Sequence, residues 1–358
     1  MKKTARMALV VGMASLALAA CGERGDSGSA SEPSDTASSS SAPAESHPDF
    51  KACMVSDSGG FNDKSFNQTS HDGLMLAKEQ YGIQTGEIES QSDNEYGDNI
   101  QAMVKEGCKE ITTVGFLLGD ATEAAAKKNP DVDFAIIDFA YEKPAPNIKG
   151  LTFDTAQPSF LAGYLAAAES ESGIVGTFGG LNIPTVSIFM EGFRKGVEAY
   201  NEESGASVKV LGWDGKDGSF TEDFEDKSKG QTIAQQMIQQ GADIIFPVAG
   251  PAGLGGLQAA KDSDARGIWV DTDGCVSAAE YCDILLTSVV KRMDVATSTA
   301  IKASIDGNFN NEPYVGTLEN DGVALAEFHE QDGEIDQEVK DKLEELKQQI
   351  ISGELKVG

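Results

Sequence analysis

The stretch Asp57-Ser58-Gly59-Gly60-Phe61-Asn62-Asp63-Lys64-Ser65-Phe66-Asn67-Gln68 concentrates the binding chemistry of this chain. Its two glycines let the backbone approach a ligand closely. It opens a helix, whose first N–H groups are free to donate. Asp57 and Asn67 offer acceptors and donors to a polar heterocycle, and Phe66 offers a flat apolar face. The same residues also suit a plain loop-to-helix junction, with Asn62 or Asp63 as N-cap and Phe66 turned into the core. Catalytic and metal patterns fail elsewhere. Ser288-Val289-Val290-Lys291 has Ser-x-x-Lys spacing but no Lys-Thr-Gly partner. Asp271, Asp273, Gly274 and Glu280 imitate the end of a calcium loop, yet Trp269 stands where its first carboxylate belongs. His71 has no nucleophile and orienter beside it in sequence. The glycines within 250–256 do not form Gly-x-Gly-x-x-Gly, so a dinucleotide fingerprint is excluded. The expectation is binding without catalysis and without a cofactor or metal.

The elements that position these residues alternate in type. Strands are expected at 52–56, 87–90, 110–114, 134–137 and 150–153, with helices at 64–81, 99–106, 121–128 and 157–170. The rhythm then repeats. Strands fall at 173–176, 208–212, 243–248, 267–270 and 284–289, with helices at 187–201, 230–240, 255–261 and 291–304. Two short strands, 314–318 and 323–326, and a C-terminal helix at 334–351 complete the series. Such alternation predicts an α/β architecture of parallel sheets covered on both faces. Ten or more strands exceed one comfortable sheet, so two doubly wound lobes are expected around a cleft. Ligands on such sheets bind beyond the C-terminal strand ends. Asp57, Asp138, Asp154 and Asp271 each close a strand and are the polar candidates there. Gly250 begins a loop of small residues after another strand, which leaves room for the lobes to close.

The chain has 358 residues and a formal net charge of −30. A body that acidic repels phosphate backbones, which excludes nucleic acid as a partner and leaves a neutral small ligand open. Lys2, Lys3 and Arg6 precede an apolar run over 7–20, 14 residues long. That is shorter than the roughly 20 residues a membrane-spanning helix needs, and it reads as a secretory signal. It ends in Leu18-Ala19-Ala20-Cys21, the pattern of a bacterial lipobox, so Cys21 is the expected site of lipidation. Residues 1–20 are then the signal peptide, and 21–48 a Ser-, Gly- and Pro-rich tether with little apolar surface to bury. An exported protein can form disulfides. The remaining Cys53, Cys108, Cys275 and Cys282 allow three connectivities. Cys53 in the first strand and Cys108 just before its neighbour are expected to pair, leaving Cys275 with Cys282.

Several separated segments resemble the basic membrane protein family of substrate-binding lipoproteins, which includes purine nucleoside receptors of ABC importers. They are the Asp57 loop with Asp63-Lys64-Ser65-Phe66-Asn67-Gln68, Phe160-Leu161-Ala162-Gly163-Tyr164-Leu165, Gly241-Ala242-Asp243-Ile244-Ile245-Phe246, and Leu286-Thr287-Ser288-Val289-Val290-Lys291-Arg292. The resemblance implies a type I periplasmic-binding-protein fold that closes over its ligand and a monomer that delivers it to a permease. It implies a purine base stacked between one ring per lobe, Phe66 and Phe246, with Phe189 as the second choice for the latter. It implies Asp271 and Lys291 on the ribose hydroxyls, and Asp57, Asn67 and Asp138 as further polar contacts; Asn62 and Gly250 are also expected among the ligand-site residues. Lobe I is expected to comprise 49–154 and 273–313, and lobe II 155–272 and 314–358, hinged near Asp154, Asp273 and Pro313. A sugar receptor of the same fold and an envelope sensor or adhesin are the competing readings. The segment 213–226 and Asp271-Thr272-Asp273-Gly274-Cys275 depart from the family pattern near the expected cleft.

Overall fold

A computed structural model describes residues 46–357. The signal peptide, Cys21 and nearly all of the tether lie outside the described residues. The first half contains β1 (Lys51–Ser56), α1 (Phe66–Tyr81), β2 (Gln84–Glu89), α2 (Tyr96–Lys105), β3 (Glu110–Val114), α3 (Gly119–Lys128), β4 (Asp133–Ile137) and β5 (Ile148–Phe153). The second contains α4 (Ala156–Glu169), β6 (Ile174–Gly179), α5 (Pro184–Ser204), β7 (Lys209–Leu211), α6 (Lys227–Gln239), β8 (Ile244–Val248), α7 (Gly250–Lys261), β9 (Arg266–Asp271), α8 (Gly274–Ser277) and β10 (Leu285–Lys291). α9 (Met293–Ile305), β11 (Tyr314–Gly316), β12 (Val323–Leu325) and α10 (Gln337–Ile351) follow.

The strands form two six-stranded sheets, ordered β11-β5-β4-β3-β1-β2 and β12-β10-β9-β8-β6-β7. Every pairing is parallel except β12 against β10. Parallel strands covered on both faces must be apolar throughout, and β3 and β8 are buried at every residue. In each sheet the order in which successive strands are added reverses between the first and third strands, which opens a crevice at β1/β3 in one lobe and at β6/β8 in the other.

The lobe boundaries differ from the expected ones. The chain enters the second lobe after Phe153, in accord with a crossing near Asp154, whose N–H donates to Gly316 O at 2.8 Å. It returns only after Lys291, because β10 pairs with β9, so 273–291 belongs to lobe II. It leaves again after Gly316, because β11 pairs with β5 in the first sheet. Asp273 and Pro313 are therefore not crossing points. Pairing partners decide a strand's lobe, and periodicity along the chain does not encode them. The tether boundary also moves. His47 N–H donates to Tyr81 O at 2.8 Å and Gln84 Nε2 to Pro48 O at 2.7 Å, so these residues are part of the folded body.

Two helices of the second lobe approach each other closely. A Cβ on Gly163 of α4 would lie 2.0 Å from Phe193 O of α5, and one on Gly196 of α5 would lie 2.0 Å from Phe160 O. Only glycine permits so close an approach. Cys53 is bonded to Cys108, tying β1 to the chain entering β3, and Cys275 is bonded to Cys282. No helix among the described residues is long and apolar enough to cross a membrane.

Candidate ligand cleft

A cleft between the lobes is bordered by the loops that follow β1, β3, β4, β6, β8 and β9. Asp57, Phe66, Asn67 and Asp138 reach it from lobe I, and Gly250, Asp271 and Lys291 from lobe II. Seven expected site residues therefore converge.

Asp57 follows β1 and accepts from Asn67 Nδ2 at 3.0 Å. Asn67 Nδ2 also donates to Ser58 O at 3.1 Å, which fixes the orientation of the amide because a carbonyl can only accept. Gly115, after β3, makes room for this pair. Its φ is +121°, and a Cβ there would lie 2.2 Å from Asp57 Oδ2. Burial pushes the Asp57 carboxyl up to about 8, with nearby Asp63 and Asp138 acting in the same direction against the Asn67 hydrogen bond. Asp138 and Asp271 take left-handed backbone, at φ 67° and 69°. Aspartate tolerates that region better than most residues. The turn aims both carboxyls inward.

Lys291, 2% exposed, joins the lobes. Its Nζ lies 2.6 Å from Asp138 Oδ2 and 3.9 Å from Asp271 Oδ1. The ammonium also sits 4.6 Å from the Phe66 ring centroid and 5.7 Å from that of Phe189, within reach of a cation–π attraction. Burial raises both the Asp138 and Asp271 carboxyls above the usual range, and Lys291 opposes that rise. The cleft thus holds Asp57, Asp63, Asp138 and Asp271 against one lysine. Such a surface disfavours an anionic ligand and favours one rich in N–H or O–H donors.

Three expected positions fall elsewhere. Phe246 is fully buried and packs on Phe193 of α5, ring centroids 5.1 Å apart. Its strand is buried on both faces, so strand position alone does not distinguish core from cleft. Phe189, the second choice, does line the cleft. Asn62 is exposed, and Asp63 takes over the helix start by accepting from the N–H groups of Asn67 and Gln68. Asp154 accepts from Gln157 at the crossing between lobes, away from the cleft lining. Residues missed by sequence reasoning include Phe116 after β3, Val186 of α5 and Phe224. Phe116 directly follows a strand-ending glycine, which is a usable signal. Phe224 lies in the divergent 213–226 segment, where nothing indicates which side chain turns inward.

Residues 50–358 match the profile of a family described as ABC transporter substrate-binding protein PnrA-like. A Lactococcus lactis protein named ABC transporter nucleoside-binding protein BmpA is 29% identical over 86% of this chain and 89% of its own. A Listeria innocua protein named CD4+ T-cell-stimulating antigen is 31% identical over 99% of this chain and 98% of its own. A solved solute-binding protein of an ABC transporter system from Aeropyrum pernix superposes with a TM-score of 0.78 at 27% identity, covering 86% of this chain and 92% of that one.

Proposed function

Because the chain belongs to the PnrA-like family of ABC transporter substrate-binding proteins, we propose that its cleft binds a purine nucleoside and that the closed, loaded protein delivers it to a permease. The observation that carries this reading is the division of the cleft. Phe66 of lobe I, with Phe189 and Phe224 of lobe II, supplies flat apolar surface for a base. Asp271, Lys291 and Asp138 form a charged cluster at the crossing between lobes, suited to ribose hydroxyls. Asp57 and Asn67 are left for the polar edge of the base. The lack of an unpaired lysine or arginine among the cleft residues argues for nucleosides over nucleotides. The name of the Lactococcus relative supports the same ligand class.

The protein works as a monomer, lipid-anchored through Cys21 on the outer face of the cell membrane and held by its N-terminal tether. The motivation is the lipobox and the composition of 21–48. Cys21→Ser is expected to release it from the membrane fraction. Native mass spectrometry of protein purified without added ligand tests the ligand class. A bound mass matching a nucleoside is expected. A pentose or hexose mass would transfer the site to sugars.

A further inference from the structure

Phe66 and Asn67 face the cleft, but the three residues before them bond elsewhere. Asp63 is 4% exposed. It borders the cleft, yet both its oxygens are committed to backbone. Oδ1 accepts from Ser65 N–H at 2.9 Å and Gln68 N–H at 3.0 Å, and Oδ2 from Asn67 N–H at 2.9 Å. One carboxyl thereby closes a turn and satisfies two donors at the start of α1 that no helical carbonyl can reach. The turn needs such a hold, since Lys64 sits at φ 65°, a region unfavourable for a long side chain.

Two groups on this turn cross to the other lobe. Lys64 O accepts from Trp269 Nε1 at 3.2 Å, and Ser65 Oγ donates to Asp271 Oδ2 at 2.6 Å. Trp269 and Asp271 both stand on β9. Trp269 is fully buried and does not line the cleft, so its bond to Lys64 needs no ligand.

We infer that the Asp63-Lys64-Ser65 turn is an interlobe latch, in which Asp63 is a positioning residue that presents the Lys64 carbonyl and the Ser65 hydroxyl to β9. Closure is then stabilised by protein–protein bonds as well as by ligand. A ligand binds more tightly when more of the protein already occupies its closed form. Only this consequence for ligand rests on the nucleoside reading.

The test uses tryptophan emission. The chain has two tryptophans, so Trp213→Phe leaves Trp269 as the sole indole. Ser65→Ala is added in that background, and ligand-free protein is compared with its parent. The expected result is a red shift of Trp269 emission and greater quenching by acrylamide. Inosine release is expected to be about tenfold to a hundredfold faster, the consequence of losing one hydrogen bond to a carboxylate. Ser65→Thr, which keeps the hydroxyl, restores both. Asp63→Asn, which preserves size but has one accepting oxygen where the carboxylate has two and so loses at least one of the three N–H bonds, gives the same red shift by a separate route. Ligand-free emission and quenching equal to the parent in both Ser65→Ala and Asp63→Asn would overturn the latch. If no nucleoside binds, the proposed ligand fails, while the ligand-free emission still decides the latch.

Discussion

Asp138 and Asp271 occupy matching places, each at the C-terminal end of the fourth strand of its sheet, and both have left-handed backbone. Around that shared framework the lobes diverge. Lobe I supplies three of the four cleft carboxyls and the amide of Asn67. Lobe II supplies most of the apolar wall, including Ile183, Val186, Phe189, Phe224, Val248 and Val270, together with Asp271 and Lys291. One topology has therefore been given two chemistries, a polar side and a greasy side. The single lysine of the cleft comes from the greasy side and pairs with the polar one. A ligand that satisfies both must have a flat apolar body and several hydrogen-bonding groups.

The largest expected effect comes from removing the bridge. Lys291→Met leaves Asp138 and Asp271 buried without their cation. Breaking a buried pair on one side costs about 3–5 kcal/mol. Thermal unfolding and calorimetry should show both lowered stability and loss of nucleoside binding. Unchanged binding would mean that the lobes are not coupled through Lys291.

Two phenylalanines of lobe II sharpen the distinction between wall and core. Phe246→Ala should cost about 3–5 kcal/mol of stability as a core deletion. At temperatures where it stays folded, its effect on affinity should be small. Phe189→Ala should instead weaken nucleoside binding by about 1–3 kcal/mol, the cost of a lost stacking surface. Phe66→Ala should match it from the other lobe. The reverse pattern in titrations would restore Phe246 to the site.

These two residues also mark where the sequence stops being legible. The alternation of strands and helices announced the architecture, and polar residues ending strands announced Asp57, Asp138 and Asp271. Phe246 and Phe189 were not separable, because β8 is buried on both faces and α5 is an ordinary amphipathic helix by pattern. The lobe assignments of β10 and β11 were likewise hidden, since their pairing partners, β9 and the distant β5, decide them and leave no trace in local periodicity. Phe224 and Val186 reach the cleft through loop and helix geometry that leaves no periodic trace.

The polar side should also show in the pH dependence of stability. The Asp57 carboxyl, at about 8 in the folded chain, stands above its ordinary value of 3.8. Between those values the folded chain holds a proton that the unfolded chain has released, so stability falls as pH rises through that window. Asp57→Asn removes the titration and should raise stability at pH 8 relative to the parent, with little difference at pH 4. Glu110, buried away from the cleft and also raised to about 8, contributes the same slope, so Asp57→Asn flattens it only in part. Chemical denaturation from pH 4 to pH 8 reads the difference, and a slope unchanged by the substitution would place Asp57 in a wetter setting.

The smallest effects compare glycines that follow strands in the two lobes. Gly115→Ala meets Asp57 Oδ2 at 2.2 Å and has a φ of +121°. It should cost about 1–3 kcal/mol and disturb binding. Gly250→Ala, at φ +51°, meets nothing closer than 3.8 Å, so strain alone applies and the loss should be milder. Equal losses in a denaturation series would remove the special role of the Asp57–Gly115 contact.

Calorimetry on ligand-free protein reads whether one ligand joins the aromatic wall to a hydroxyl-binding carboxylate. Inosine, hypoxanthine and ribose are titrated into the wild type and into Asp271→Ala. Inosine should bind tightly and hypoxanthine more weakly, and the variant should lose about tenfold to a hundredfold in affinity for inosine alone, as expected for one hydrogen bond to a charged group. Binding of ribose with no binding of inosine would contradict the nucleoside reading.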